Sequence, residues 1–319
     1  MPKYEKVGVK QMYNGCFAEG YFLLTAANVK TSANGSLFLA CKLGDKDGEI
    51  DGKIWDYADT IHEHVGGVVK IRGSVSEYNG ANQIVIDRIR LAQDGDPYDL
   101  KELVPCAPID VDAALLAIGN MLNSITDDTY RRVALCAMER MKDVIKTIPA
   151  AKSVHHAFIS GLLMHVYNMM QMSEAIGKIY GGDLIDMDLL LTGTFCHDMA
   201  KRNEFLRSEI GLVTDYTVRG KLLGHLTMGA QEIAEIGREI GEPADSEKIM
   251  LLQHMLLSHH GEPEFGAAVR PQIIEAEILS RVDMLDARIE MYREALNDIE
   301  MGTTSDFLKV MGHSIYNHF

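Results

Sequence analysis

Between Tyr21 and about Leu91 the chain alternates apolar and polar residues in short runs, the period-two pattern of strands with one buried face. The runs "SLFLACKL" (36–43) and "GEIDGKIWD" (48–56) flank Gly44-Asp45-Lys46-Asp47-Gly48, a composition that predicts a hairpin loop. The runs "VVKIRGSV" (68–75) and "QIVIDRIRLA" (83–92) flank Tyr78-Asn79-Gly80, where Asn-Gly supplies the positive φ angles of a tight turn. The segment "DGDPYDLKELVPCAPID" (94–110) holds three of the eight prolines and marks a boundary. Beyond it the apolar period becomes helical. Helices are predicted over 111–124, 127–147, 157–180, 186–201, 220–239, 246–259 and 271–298, with Asp110 and Thr126 as N-caps of the first two.

Several short strands with tight turns inside 100 residues suggest a small barrel, and the five-stranded OB-fold fits them best. The fold class is accordingly α+β multidomain. An N-terminal small β-barrel of the OB type is expected over residues 1–95, a linker and leading helix over 96–125, and an all-α helical bundle over 126–319.

Composition narrows the function. Of the net charge of −15, the first 100 residues carry only −3. Such acidity argues against a broad basic face for nucleic acid and leaves room for a narrow basic channel, with the first segment as the more tolerant surface. The five cysteines, Cys16, Cys41, Cys106, Cys136 and Cys196, are scattered without a C-x-x-C pair, against both a disulfide framework and a zinc knuckle. Cys196, beside His197, reads as a small buried hydrophobe. No apolar run approaches the roughly 20 residues of a membrane span, and "MPKYEKVGVKQMYNG" lacks the apolar centre of a signal peptide, so a cytoplasmic protein with no membrane partner is expected. Neither a Gly-x-Ser-x-Gly elbow nor a P-loop occurs, so serine hydrolase and NTPase chemistry are unsupported.

Polar residues interrupt the apolar helices at a recurring set of positions. His165 lies in "HHAFISGLLMHVYNMM", His197-Asp198 closes the helix holding Leu189-Leu190-Leu191, His225 lies in "GKLLGHLTMGAQEI", His259-His260 ends "LLQHMLLSHHG", and Asp283 lies in "EAEILSRVDMLDAR". One such histidine is ordinarily a satisfied core residue, but five with two aspartates on successive helices point to metal. Imidazole with carboxylate suits divalent first-row ions, and seven ligands are too many for one tetrahedral zinc. Two metals fit, with Asp198 as the bridge, and a pair roughly 3.5–4 Å apart favours hydrolysis of a phosphate ester.

The ordered set His165, His197-Asp198, His225, His259-His260, Asp283 resembles the HD-domain phosphohydrolase superfamily, and the extra His225 with the His-His pair resembles its two-metal branch. The flanking text "PAAKSVHHAFISGLLMHV" (149–166), "GTFCHDMAK" (193–201), "YTVRGKLLGHLTMGA" (216–230), "LLSHHGEPEFGAAVRPQIIEAEIL" (256–279) and "VDMLDA" (282–287) is similar to the YhaM-type 3′-5′ exoribonucleases, which join an OB-fold to an HD domain. The likeness runs from about Phe17 to Asp286, and "GDKDGEIDGKIWD" (44–56) resembles the family's OB segment. It implies that His165, His197, Asp198 and Asp283 hold one metal and that Asp198, His225, His259 and His260 hold the other. Manganese is the implied cation, with iron(II), cobalt(II) or magnesium as alternatives. "HDMAK" stands where the family more often reads "HDIGK", and Met164 stands where an acidic residue is frequent.

Around these ligands, His155 and His156 are candidates to contact a phosphate or protonate the leaving oxygen, or else cap a helix. Lys201, one turn beyond Asp198, is placed to neutralise a phosphate oxygen or simply to favour its helix end. Arg219, Lys221 and Arg270 are further phosphate candidates, and Asp286 is spaced to accept from a ligand histidine. Phe38, Trp55 and Tyr78 are candidates to stack on bases or to fill the barrel, with Lys53, Lys70, Arg72, Arg88 and Arg90 as backbone contacts.

The expected function is a metal-dependent 3′-5′ exoribonuclease that hydrolyses single-stranded RNA, with single-stranded DNA as a second strand, to nucleoside monophosphates. A homo-oligomer is compatible with the sequence. Two other readings stay open: an HD hydrolase of nucleotides or cyclic dinucleotides, and a non-catalytic DNA-binding or replication-associated factor. "HHGEPEFGAAVRP" lacks the Gly-Tyr-Pro loop expected of the cyclic-dinucleotide branch.

Overall fold

A computed structural model describes residues 4–152, 158–208, 210–297 and 299–319. The chain divides into two compact units, Met1–Cys106 with Arg207–Thr214, and Ala107–Leu206 with Asp215–Phe319.

In the first unit five strands, β1 (Phe17–Thr31), β2 (Leu37–Asp45), β3 (Gly48–Trp55), β4 (Val68–Tyr78) and β5 (Ala81–Leu91), close a barrel in the order β1-β2-β3-β5-β4. β1 pairs antiparallel with both β2 and β4, and β3 runs parallel to β5. That closed five-strand order is the OB-fold, and closure removes the free edges an open sheet would expose. Phe22, Leu24, Leu39, Leu43, Ile71 and Ile84 fill the interior. The β2–β3 loop is tighter than its composition implied, because β2 runs through Asp45 and β3 begins at Gly48. Asn79 and Gly80 take φ of 51° and 80°, the turn expected of Asn-Gly.

The second unit is helical: α1 (Val111–Asn123), α2 (Asp128–Met141), α3 (Gly161–Tyr180), α4 (Met187–Cys196), α5 (Lys201–Glu204), α6 (Val218–Glu239), α7 (Glu247–Ser258) and α8 (Ile274–Asn297). Leu162, Met169, Leu190, Ile233, Leu252 and Leu279, drawn from five of these helices, are fully buried. Several boundaries differ from expectation, α3 beginning at Gly161, α6 at Val218 and α8 at Ile274 among them. Asp127, not Thr126, caps α2, since Thr126 hands its N–H and hydroxyl to Asp188. The run 186–201 is broken after Cys196 by a turn, and α2 stops at Met141. Between α5 and α6 stands an unanticipated hairpin, β6 (Phe205–Arg207) with β7 (Val213–Tyr216), whose strands are too short for an alternating signal. Among the described residues no helix is long and apolar enough to cross a membrane.

One barrel position tolerates no side chain. The β4–β5 register shifts between Arg72 and Gly73, and a Cβ on Gly73 would sit 2.4 Å from the Val85 carbonyl oxygen. Gly73→Val should therefore destabilise the barrel by about 1–3 kcal/mol, the range for overpacking. Urea unfolding checks this; an unchanged midpoint would show that β5 can move aside.

Candidate metal centre

Helix ends, one kink and the middle of α8 deliver the seven predicted ligands. His165 lies in the first turns of α3, and His197 is the C-cap of α4 with Asp198 beside it. His259 is the C-cap of α7, followed by His260, while Asp283 lies midway along α8. His225 follows a break in α6 at Gly224, whose φ of 68° and ψ of 161° lie in a region open essentially to glycine. The structure brings all seven together. The ligand atoms of His165, His197 and Asp283 lie within 4.8 Å of one another, as do those of His225, His259 and His260.

Asp198 stands between the two groups. Its Oδ1 is 3.3 Å from His225 Nε2 and 3.9 Å from His259 Nε2. Its Oδ2 is 3.3 Å from His197 Nε2 and 3.9 Å from His165 Nε2, and accepts from Lys201 Nζ at 2.6 Å.

Each imidazole has one nitrogen already engaged. His165 Nδ1 donates to Asp286 Oδ2 at 2.7 Å, His197 Nδ1 to the Thr194 carbonyl at 2.7 Å and His259 Nδ1 to the Leu256 carbonyl at 2.7 Å. His225 Nδ1 meets both Glu204 carboxylate oxygens at 3.1 Å, and His260 Nδ1 donates to the Phe265 carbonyl at 3.0 Å. In a neutral ring, a nitrogen that donates in this way leaves the other as a lone pair, so the Nε2 atoms are the ones placed to ligate. Asn168 steadies Asp286 from its other oxygen at 3.0 Å, and the backbone N–H of His225 donates to Glu204 at 2.9 Å.

The electrostatics follow from burial and these neighbours. Burial opposes the charge on Asp198, which is 2% exposed, yet Lys201 and His197 hold its carboxyl well below the usual carboxylate range. Burial likewise opposes an imidazolium at His165, but Asp283 and Asp286 push it up to about 9. Burial and the neighbouring imidazoles push His259 and His260 down, favouring neutral rings. Burial pushes the Cys196 thiol up, away from nucleophilic use.

The donor set fits a divalent cation. Asp198 Oδ1 and the Nε2 atoms of His197, His225 and His259 are buried without a hydrogen-bond partner, and lone pairs facing one another at 3.3 Å repel unless positive charge lies between them. A cavity of about 310 Å³ opens beside them, lined by Asp198, Lys201, His259, His260 and Asp283 and by residues of α8.

Other expected site residues fall elsewhere. Arg219 is exposed and donates to Gln231, and Arg270 is exposed and paired with Glu262; neither lines this cavity. His155 and His156 lie outside the described residues. In the barrel Phe38 and Trp55 are cross-strand partners with ring centroids 5.1 Å apart, on the outer face, and Trp55 is 49% exposed. Lys53 Nζ lies 5.9 Å from the Trp55 ring and 4.8 Å from that of Tyr78. Arg72 is on β4 instead, held by Glu19 at 2.7 Å and lying 4.9 Å from the Tyr4 ring centroid. Sequence reasoning missed Glu204 and Glu232. Glu232 is buried and accepts from Arg202 and Asn203, each at 2.7 Å, which fastens α5 and the turn before it to α6.

An HD domain family model matches residues 162–288, a span containing all seven clustered residues. The chain is 33% identical over 302 residues to the 3′-5′ exoribonuclease YhaM of Listeria innocua, covering 93% of this chain and 94% of that protein. It is 34% identical over 295 residues to the 3′-5′ exoribonuclease YhaM of Halalkalibacterium halodurans, covering 92% and 90%. Among solved structures, a domain of replication protein A from Methanococcus maripaludis aligns at 18% identity and a TM-score of 0.24, covering 28% of this chain and 97% of that one. With a third of positions identical along more than nine-tenths of both proteins, this chain belongs to the YhaM family of 3′-5′ exoribonucleases.

Proposed function

We propose that the chain is a two-metal 3′-5′ exoribonuclease acting on single-stranded RNA, with manganese as its cation and the cytoplasm as its compartment. The carrying observation is the pair of three-residue groups on either side of Asp198, whose two oxygens face different groups. His165, His197, Asp283 and Asp198 would hold one ion, and His225, His259, His260 and Asp198 the other. Such ions supply a hydroxide nucleophile at neutral pH and charge to stabilise the leaving oxygen.

The chain's own residues do the rest. Asp198 shares its carboxylate between the groups, and Glu204 and Asp286 hold His225 and His165 in the ligating orientation. Lys201 lines the cavity with its ammonium on Asp198, where it offsets charge that builds on phosphate oxygens in the transition state. Water adds across the last phosphodiester, the bond from phosphorus to the preceding 3′ oxygen breaks, and that oxygen leaves with a proton. Each turnover frees one nucleoside monophosphate. The barrel binds the strand by stacking bases on the exposed Trp55 and the half-buried Phe38 beside it.

The direct test is 5′-labelled single-stranded RNA with metal-stripped protein, with and without manganese. A ladder shortening from the 3′ end only with manganese is expected, and Asp198→Ala should slow it by at least about 10²-fold. Intact RNA, or internal cuts, would sink the reading.

The two sites should separate by their supporting carboxylates. Asp286→Asn and Glu204→Gln should each weaken one of two manganese ions by roughly 10- to 100-fold and leave the other tight. Calorimetric titration of the metal-stripped variants reads this, and a single site in the native chain would contradict it.

Trp55→Ala should weaken binding of single-stranded RNA by about 1–3 kcal/mol without metal, where no strand is cut. Fluorescence anisotropy at fixed salt measures it; an unchanged Kd would remove Trp55 from the RNA path.

A further inference from the structure

The cavity beside the ligands has a second wall that takes no part in holding metal. Met284, Ala287, Arg288 and Met291 lie at i, i+3, i+4 and i+7 on α8, so they form one face, and Phe265 and Val310 line the space with them. By spacing alone this stripe reads as core. Yet Met284 and Met291 are only half-buried, and Phe265 is 66% exposed. Arg288 is exposed and has no hydrogen-bond or ion-pair partner among the described residues, unlike Arg270, which Glu262 holds. The Phe265 loop is tied to the metal centre, because its carbonyl accepts from His260 Nδ1.

We propose that this cavity is the subsite for the 3′-terminal nucleotide, its base lying against Phe265, Met284 and Met291 and its phosphate taken by Arg288. The proposal rests on the exoribonuclease reading above. A volume of about 310 Å³ sits at the lower end of the roughly 300–1,000 Å³ of small-ligand sites, room for one nucleotide and not for several. An aromatic face stacks on any base, and thioethers adapt their shape, so the wall accepts all four bases, as an enzyme that removes every nucleotide in turn requires. The unpaired guanidinium offers a planar fork that matches phosphate oxygens. Filling the subsite sets the terminal linkage, and no interior one, beside Asp198, which accounts for exonucleolytic cutting.

The test compares two single-stranded RNAs that differ only in the last nucleotide, complete in one and abasic in the other, on the manganese-loaded enzyme. The first cleavage of the abasic end should be slower by roughly 5- to 100-fold in kcat/KM, as expected for one lost stacking contact. Phe265→Ala, at an exposed position, should narrow that ratio toward one. Arg288→Ala should weaken adenosine monophosphate binding to the loaded enzyme by about tenfold or more in calorimetry. Equal cleavage of the two ends by the native enzyme overturns the subsite while leaving the exoribonuclease standing. If neither RNA is shortened, the exoribonuclease reading falls and the subsite falls with it.

Discussion

Asp198 is a carboxylate almost sealed from water, and burying an ion costs several kcal/mol unless its oxygens are matched by opposite charge. Its environment supplies one ammonium, on Oδ2, and a ring of imidazoles on both sides. The turn that presents it is correspondingly well braced. Lys201 reaches back from α5, and Arg202 and Asn203 fasten the same short helix to Glu232 on α6. Loosening any of these would let the carboxylate swing toward water, and the two groups of histidines would lose their common member.

The histidines are aimed by the ends of the helices that carry them. His197 and His259 are both C-caps, and each donates to the carbonyl three residues back, in the last turn where carbonyls run out of intrahelical N–H partners. One bond thus satisfies a stranded carbonyl and fixes which nitrogen faces inward. Helix C-termini also carry partial negative charge, so two of them directed at one place favour a cation there. His225 needs a different device, since it lies inside α6. The glycine kink at 224 frees its backbone N–H, and Glu204 takes that N–H and the ring together.

The sequence made the ligands readable because each is a polar residue set into an otherwise apolar helix, where burial must be explained. Asp286 was readable for a related reason, its spacing of three from Asp283. Glu204 was not. "KRNE" reads as a solvated run, and its burial depends on α6 lying so close that a Cβ on Gly220 would come 2.4 Å from the Glu204 carbonyl oxygen. Arg219 and Arg270 lie apart from the cavity: nearness in sequence to a ligand says nothing of where a long exposed side chain points, and Gln231 and Glu262 pair with them. The barrel followed its alternation, which put Leu39 inside and Phe38 outside, but its long first strand and its closure by β1 and β4 lay beyond local pattern. Arg288 is one exposed arginine among many until the cavity beside it is seen.

The two sides of Asp198 are unequal. On the Oδ2 side an ammonium and a basic imidazole, His165 between Asp283 and Asp286, already balance the carboxylates with protons. On the Oδ1 side the carboxylate oxygen faces His225 and His259 with no donor between them, and burial keeps His259 and His260 neutral. A cation on the first side would therefore compete with a proton on His165. On either side it would replace repulsion between lone pairs, His197 against Oδ2 and His225 against Oδ1, with attraction, and binding to the folded state alone would add to its stability. Each group includes half-buried members, Asp283 on the first side and His225 and His260 on the second, His260 being joined through Phe265 to the cavity wall. Lys201 and Asp283 line the same cavity as His259 and His260, so both sides of Asp198 border one space.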